Sequence, residues 1–169
     1  MKITLTDGKV LELPQGTTVA GVASAISEGL RRNALAGKVN GKLVDLSYAL
    51  NDDAEVVIVT AKDPEALNIY RHTCAHVLAQ AVKSIYPTRS LAIGPTIDTG
   101  FYYDIDFKTP ITMDDLPKIE EEMKKIIKAD LAIERFELSR EDAVALMKKY
   151  KEPYKVQLIK ELPEDSVIS

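Results

Sequence analysis

The chain has 169 residues, 46% apolar and 28% charged, a balance that excludes a disordered tail and supplies enough apolar surface for one domain or two small ones. Its net charge of −4, from 22 basic and 26 acidic side chains, argues against broad electrostatic attachment to nucleic acid and leaves room only for local contacts. No run approaches the roughly 18 apolar residues of a membrane span, and the opening Met1-Lys2-Ile3-Thr4-Leu5-Thr6-Asp7 lacks the apolar block of a signal peptide, so a cytoplasmic protein without membrane association is expected.

The first 62 residues read as a small mixed sheet with one helix. Ile3–Thr6 and Lys9–Leu13 alternate apolar and polar residues around Asp7-Gly8, a tight-hairpin signal because glycine accepts positive φ. Thr17 or Thr18 can cap a helix running to about Gly29, with Val19, Val22, Ala23 and Ile26 on one face. Ala36–Val39, an Asn40-Gly41 turn, Lys42–Val44 and a strand Glu55–Thr60 follow, and the order ββαβββ suggests a β-grasp module. Arg31-Arg32 and the scattered lysines here are a weak signal for RNA contact, more often a solvated loop.

Lys62-Asp63-Pro64 is the expected boundary, dividing the chain into 1–62 and 63–169, because the strand has ended and a proline opens a long helical pattern. Residues 1–62 carry seven basic and seven acidic side chains, so the surplus of acid belongs to the second part. From Leu67 the residues Tyr70, Cys74, Val77, Leu78, Ala81, Val82 and Ile85 keep helical spacing up to Pro87. Leu91–Ile93, Gly94-Pro95 and Phe101–Ile105 read as strand, turn and strand. Asp114 or Asp115 can cap a helix with Pro117 in its first turn and a stripe of Leu116, Ile119, Met123, Ile126 and Ile127. A strand Ile133–Leu138, a helix capped by Ser139 with Asp142, and a last strand Lys155–Ile159 beyond Pro153 complete the expectation.

Two features carry possible chemistry. His72 and His76 stand one helical turn apart and project within about 40° of each other. The apolar stripe points away from them, while Ala75 and Ala79 beside them are small enough to leave room for a ligand. Spacing leaves three readings open: satisfied surface histidines, a zinc pair short of further ligands, or imidazoles in acid/base or water-positioning work. Cys74, the single cysteine, reads as a buried thiol that makes no internal disulfide. The second feature is Ile93-Gly94-Pro95 leading to Gly100-Phe101-Tyr102-Tyr103-Asp104, either a plain turn before an aromatic strand or a pocket wall where Gly94 permits close approach. Lys155, after Pro153-Tyr154, reads by itself as a solvated charge.

Taken together, His72-Thr73-Cys74-Ala75-His76, Ala92-Ile93-Gly94-Pro95, Gly100-Phe101-Tyr102-Tyr103-Asp104 and Pro153-Tyr154-Lys155-Val156 resemble the N-terminal region of bacterial threonyl-tRNA synthetases. Residues 1–62, with Arg32-Asn33-Ala34-Leu35-Ala36-Gly37-Lys38-Val39-Asn40-Gly41, resemble that family's TGS domain, a β-grasp fold. The resemblance implies an α+β chain: a TGS-like domain, then an editing-like domain with a long helix packed on an antiparallel sheet. It implies hydrolysis of serine mischarged on threonine tRNA, with His72, His76 and Lys155 catalytic and Gly94 and Tyr103 binding the seryl group. It implies threonine tRNA as partner, through its acceptor end. No cofactor is expected in this piece. ATP, magnesium and zinc, and homodimerisation, are implied for parts of the parent outside it. The family completes its pocket with a later Cys-x-x-x-His segment, so this piece is expected to hold an incomplete editing region, inactive alone. The alternatives are an N-terminal appendage of a nucleoside-kinase-like protein or a stand-alone RNA-binding module.

Overall fold

In the computed structural model, residues 1–107 and 109–169 are described, and they divide into two compact units, Met1–Tyr70 and Arg71–Ser169. In the first, β1 (Lys2–Thr4) and β2 (Val10–Glu12) form the expected hairpin, with Gly8 at φ +81° in its turn. A short strand β3 (Thr17–Thr18) leads into α1 (Val19–Ile26), where the Thr18 hydroxyl accepts the Gly21 N–H at 3.1 Å. The helix ends before Gly29, where the sequence had carried it. Ser27 adopts an extended backbone (φ −169°, ψ 151°), and its hydroxyl accepts the Leu30 N–H to start a second helix, α2 (Glu28–Asn33). The single residue closes one helix and caps the next.

Strands β4 (Ala34–Val39), β5 (Lys42–Val44), β6 (Ala49–Leu50) and β7 (Ala54–Thr60) complete this unit. The main sheet has the order β2-β1-β7-β4-β5, with β1 and β7 parallel and its other pairs antiparallel, while β3 pairs with β6 apart from it. Ile3, Val22, Leu50 and Val56 are its buried centre, joined by Leu5, Leu11, Val39 and Ile58. α1 lies close on the sheet because Gly37 has no side chain: a Cβ there would collide with Val19. Beyond Thr60 the Asp63 carboxylate accepts both the backbone N–H and the hydroxyl of Thr60, closing the turn.

The helix α3 (Ala66–Ile85) runs as its periodicity requires, and the division between the units falls inside it. The second unit continues with β8 (Ser90–Leu91), β9 (Thr96–Ile97), β10 (Gly100–Phe101) and β11 (Ile105–Asp106), paired β9 with β10 and β8 with β11, both antiparallel. The expected strands Leu91–Ile93 and Phe101–Ile105 are therefore shorter and interrupted, although Ala92 and Ile93 still exchange backbone hydrogen bonds with Asp104. After a 3₁₀ turn at Met113–Asp115 comes α4 (Leu116–Ala129), with Pro117 in its first turn. Asp115 stands at the cap position but spends its carboxylate on the Thr112 N–H and hydroxyl and on the Tyr86 hydroxyl. α3 packs on α4 and on the β11 strand through Ala81, Val82 and Ile119, with Leu78, Ile85, Ile105, Phe107 and Met123 around them.

Two expected strands are absent. Residues 133–138 form no ladder among the described residues except where Leu138 meets Ile168, and Ile133 and Phe136 stand 79% and 58% exposed. A pleated segment needs a hydrogen-bonded neighbour, and alternation alone does not supply one. α5 (Arg140–Lys149) follows, capped as expected by Ser139, whose hydroxyl accepts the Asp142 N–H. The last strand is instead a helix, α6 (Pro153–Glu161). Pro153 does not break structure here. It opens the helix at N1, where its missing N–H costs nothing, and the short apolar run of Val156, Leu158 and Ile159 fits either period.

Candidate active site

His72 and His76 are partly exposed on a face of α3 that they share with the buried Ala79. The buried line of the helix is Ala75, Ala79, Ala81 and Val82, whereas Tyr70, placed on the apolar stripe by periodicity, is 52% exposed. The small alanines therefore give no free space: Ala75 and Ala79 are buried against protein. His72 and His76 face each other with Nε2 atoms 3.0 Å apart and rings edge to face, centroids 4.5 Å apart and planes at 84°. Two Nε2–H groups at that distance would oppose their protons, so the contact needs one bare ring nitrogen to accept from the other. The pKa of His76 is held below its ordinary 6.5, first by burial of its ring, then by the neighbouring His72 and by the Lys155 ammonium. All three influences favour neutral imidazole at neutral pH, a base able to take a proton from water or a hydroxyl.

Lys155 lies in the first turn of α6 rather than on a strand, and its charge reaches His76. It also borders a mostly apolar cavity of about 630 Å³ with Leu146, Met147, Leu158 and Ile168. The helix start is fixed by a residue that sequence reasoning missed. Glu152, directly before Pro153, is 5% exposed; its Oε1 pairs with Lys83 Nζ at 2.5 Å and its Oε2 accepts the Leu91 N–H at 2.9 Å. A glutamate beside a helix-opening proline, and a lysine interrupting the apolar pattern of α3, were the only signals.

Gly94 and Tyr103 meet directly. A Cβ on Gly94 would run into the Tyr103 ring, so the glycine is required by close approach rather than by its turn. Tyr103 lines a cleft of about 530 Å³ with Asp104, Asp106 and Tyr154, and the Tyr154 hydroxyl donates to Asp106 at 3.2 Å. Tyr102, between β10 and β11, is 45% exposed. The turn joining β9 and β10 is held to α3 by Arg71, also missed from sequence, which donates to the carbonyls of Ile97 and Asp98 at 3.1 and 2.8 Å. Thus His72, His76 and Lys155 form one group and Gly94 with Tyr103 another, and neither histidine lines either cavity. Among the described residues no three His, Cys, Asp or Glu side chains gather to hold a metal ion, and Cys74 is a free, half-buried thiol.

A β-grasp unit followed by an α+β unit with paired imidazoles defines a two-module chain whose first module is a TGS domain: residues 1–60 match the family model described as TGS domain. The whole chain is similar to threonine–tRNA ligases. It is 57% identical to the threonine–tRNA ligase of Desulforamulus reducens, 54% to that of Acetivibrio thermocellus and 48% to that of Anoxybacillus flavithermus. Each match covers all of this chain but only 27%, 27% and 26% of those proteins, so the chain spans about a quarter of the relatives it matches. Over its whole length the chain is similar to the N-terminal part of threonine–tRNA ligases. No helix among the described residues is long and apolar enough to cross a membrane.

Proposed function

We propose that this chain is the TGS domain, residues 1–62, and the editing domain, from residue 63, of a cytoplasmic ATP-dependent threonine–tRNA ligase. On this reading the second domain hydrolyses serine wrongly esterified to threonine tRNA. The need is physical: a pocket that accepts threonine gains only about 1–3 kcal/mol against a substrate lacking one methyl group, so a second, hydrolytic site has to remove the error. The observation that carries the reading is the face-to-face pairing of His72 with His76, in a chain similar throughout to threonine–tRNA ligases.

In the hydrolysis, His76 accepts a proton as water attacks the seryl carbonyl, His72 holds its partner ring and the terminal ribose, and Lys155 stabilises charge developing on the ester oxygen. The ester C–O bond breaks, the ribose oxygen takes up the proton, and serine leaves as the free acid. Gly94 and Tyr103 bound the seryl pocket. The acceptor end of threonine tRNA is the partner. ATP, magnesium and zinc on this reading serve the ligase core, as homodimerisation does, through parts of the parent outside this piece.

Deacylation of seryl-tRNA tests the proposal, measured on the 169-residue chain and on a version extended through the following Cys-x-x-x-His segment. The extended form is expected to be active and the short one not. Inactivity of the extended form, together with no effect of His72→Ala, overturns the assignment.

A further inference from the structure

Among the described residues Glu152 is the one buried side chain that carries a charge. A carboxylate withdrawn from water persists only when its oxygens are satisfied, and here each has a different owner: Lys83 from α3 and the Leu91 N–H from β8. Lys83 Nζ also donates to the Arg89 carbonyl at 2.7 Å. One carboxylate thus ties α3, the strand entering the Gly94 turn, and the start of α6.

Helical geometry turns this tie into alignment. Lys83 follows His76 by seven residues and His72 by eleven, so at about 100° per residue all three project from one face of α3, with Lys83 roughly 10 Å beyond His76. Lys155 follows Glu152 by three residues and lies in the first turn of α6, the helix that Glu152 immediately precedes. Pairing Lys83 with Glu152 therefore ties the start of α6, and Lys155 with it, to the face of α3 that carries the histidines. The Leu91 N–H anchors the same carboxylate three residues before Gly94.

We propose that Glu152 is a positioning residue of the editing site: by holding Lys83 and the Leu91 N–H in the interior it sets α6 against α3 and delivers the Lys155 ammonium to the histidine pair. This inference rests on the editing function proposed above. It requires no contact between Glu152 and substrate.

The test is seryl-tRNA deacylation by the full-length ligase carrying Glu152→Gln, Lys83→Met and both together. Each single variant is expected to lose about 10- to 100-fold in kcat with KM within about twofold, as misplacement by an ångström does. The double variant, which removes both charges at once and so leaves none buried alone, is expected to lose no more than the worse single one. Lys83→Arg, which keeps the pair, is expected to retain most activity. Lowered thermal stability with unchanged kcat in the folded enzyme means a merely structural ion pair and overturns the proposal. A wild type without seryl-tRNA hydrolysis would sink the editing reading instead. The positioning claim is then decided by the His76 ring resonances of the 169-residue chain. Lys155→Met and the Lys83→Met/Glu152→Gln double variant are expected to move them alike, and movement in the first with none in the second overturns it.

Discussion

In Met1–Tyr70 five strands share one sheet, and the β4–β7 ladder alone runs from Ala34 opposite Thr60 to Val39 opposite Val56. In Arg71–Ser169 the strand pairs β8–β11 and β9–β10 are two residues long, and beside the apolar cluster of Ala81, Val82 and Ile119 order comes from single polar ties: Glu152 to Lys83 and Leu91, Arg71 to Ile97 and Asp98, Asp115 to Tyr86 and Thr112, and Arg140 to the carbonyls of Ile159 and Pro163. The two strategies differ in what they leave uncovered. Ile3, Val22 and Val56 are essentially sealed in the first unit, while Ile127, Leu131, Ile133 and Val167 of the second stand more than 60% exposed. A ladder seals a core because each added residue brings both a hydrogen bond and a packed side chain; a tie fixes one point and seals little.

The sharpest way to break this comparison is to truncate an apolar side chain in each unit. Ile3→Ala, at a fully buried site, is expected to cost about 2–5 kcal/mol in chemical denaturation. Ile133→Ala, at a largely exposed one, should stay within about 0.5 kcal/mol. Equal losses would mean that residues 131–138 are packed after all. Next in size, Gly94→Ala is expected to cost about 1–3 kcal/mol by driving a methyl into the Tyr103 ring, with Tyr103→Ala in the same chain recovering part of it. Smaller still, and similar in both units, Thr18→Ala and Ser139→Ala should each cost about 1 kcal/mol through a lost helix cap, read as faster amide exchange at Gly21 and Asp142.

The smallest effect is a pH slope confined to the second unit. The folded chain binds a proton at His76 less readily than the unfolded chain does at 6.5, so the unfolded state takes up the proton first on acidification. Stability from this group is complete above pH 6.5 and falls as the pH drops below it. Asp63 and Asp115, whose carboxyls are depressed below 3.8 by hydrogen bonds from Thr60 and from Thr112 and Tyr86, keep their contributions through that window and lose them only in stronger acid. His76→Asn should flatten the denaturation slope just below pH 6.5 without altering the acid limb.

The same contrast explains what could be read in advance. Hairpin turns at Asp7-Gly8 and Asn40-Gly41, the Thr18 cap and the period of α3 are local patterns, and they lead to a β-grasp unit and a long helix without further information. His72 and His76 were legible as a pair because four residues on a helix is one turn. α6 was misread because Pro153 was taken to break structure and the short apolar run of Val156, Leu158 and Ile159 fits either period, while the decisive Glu152 contact lies 61 residues away at Leu91. Arg71 and Lys83 look like ordinary surface charges until the carbonyls of Ile97, Asp98 and Arg89 are known to converge on them. Partnerships of that kind have no period, and only the folded chain displays them.

The fit of the Tyr103 ring over Gly94 reaches beyond stability. Two positions that occupy one volume do not mutate freely one at a time: a larger residue at 94 is tolerated only after the ring at 103 has shrunk, and the smaller ring leaves a hole until 94 has grown. A change in the size of either residue therefore requires a double step through a poorly folded intermediate.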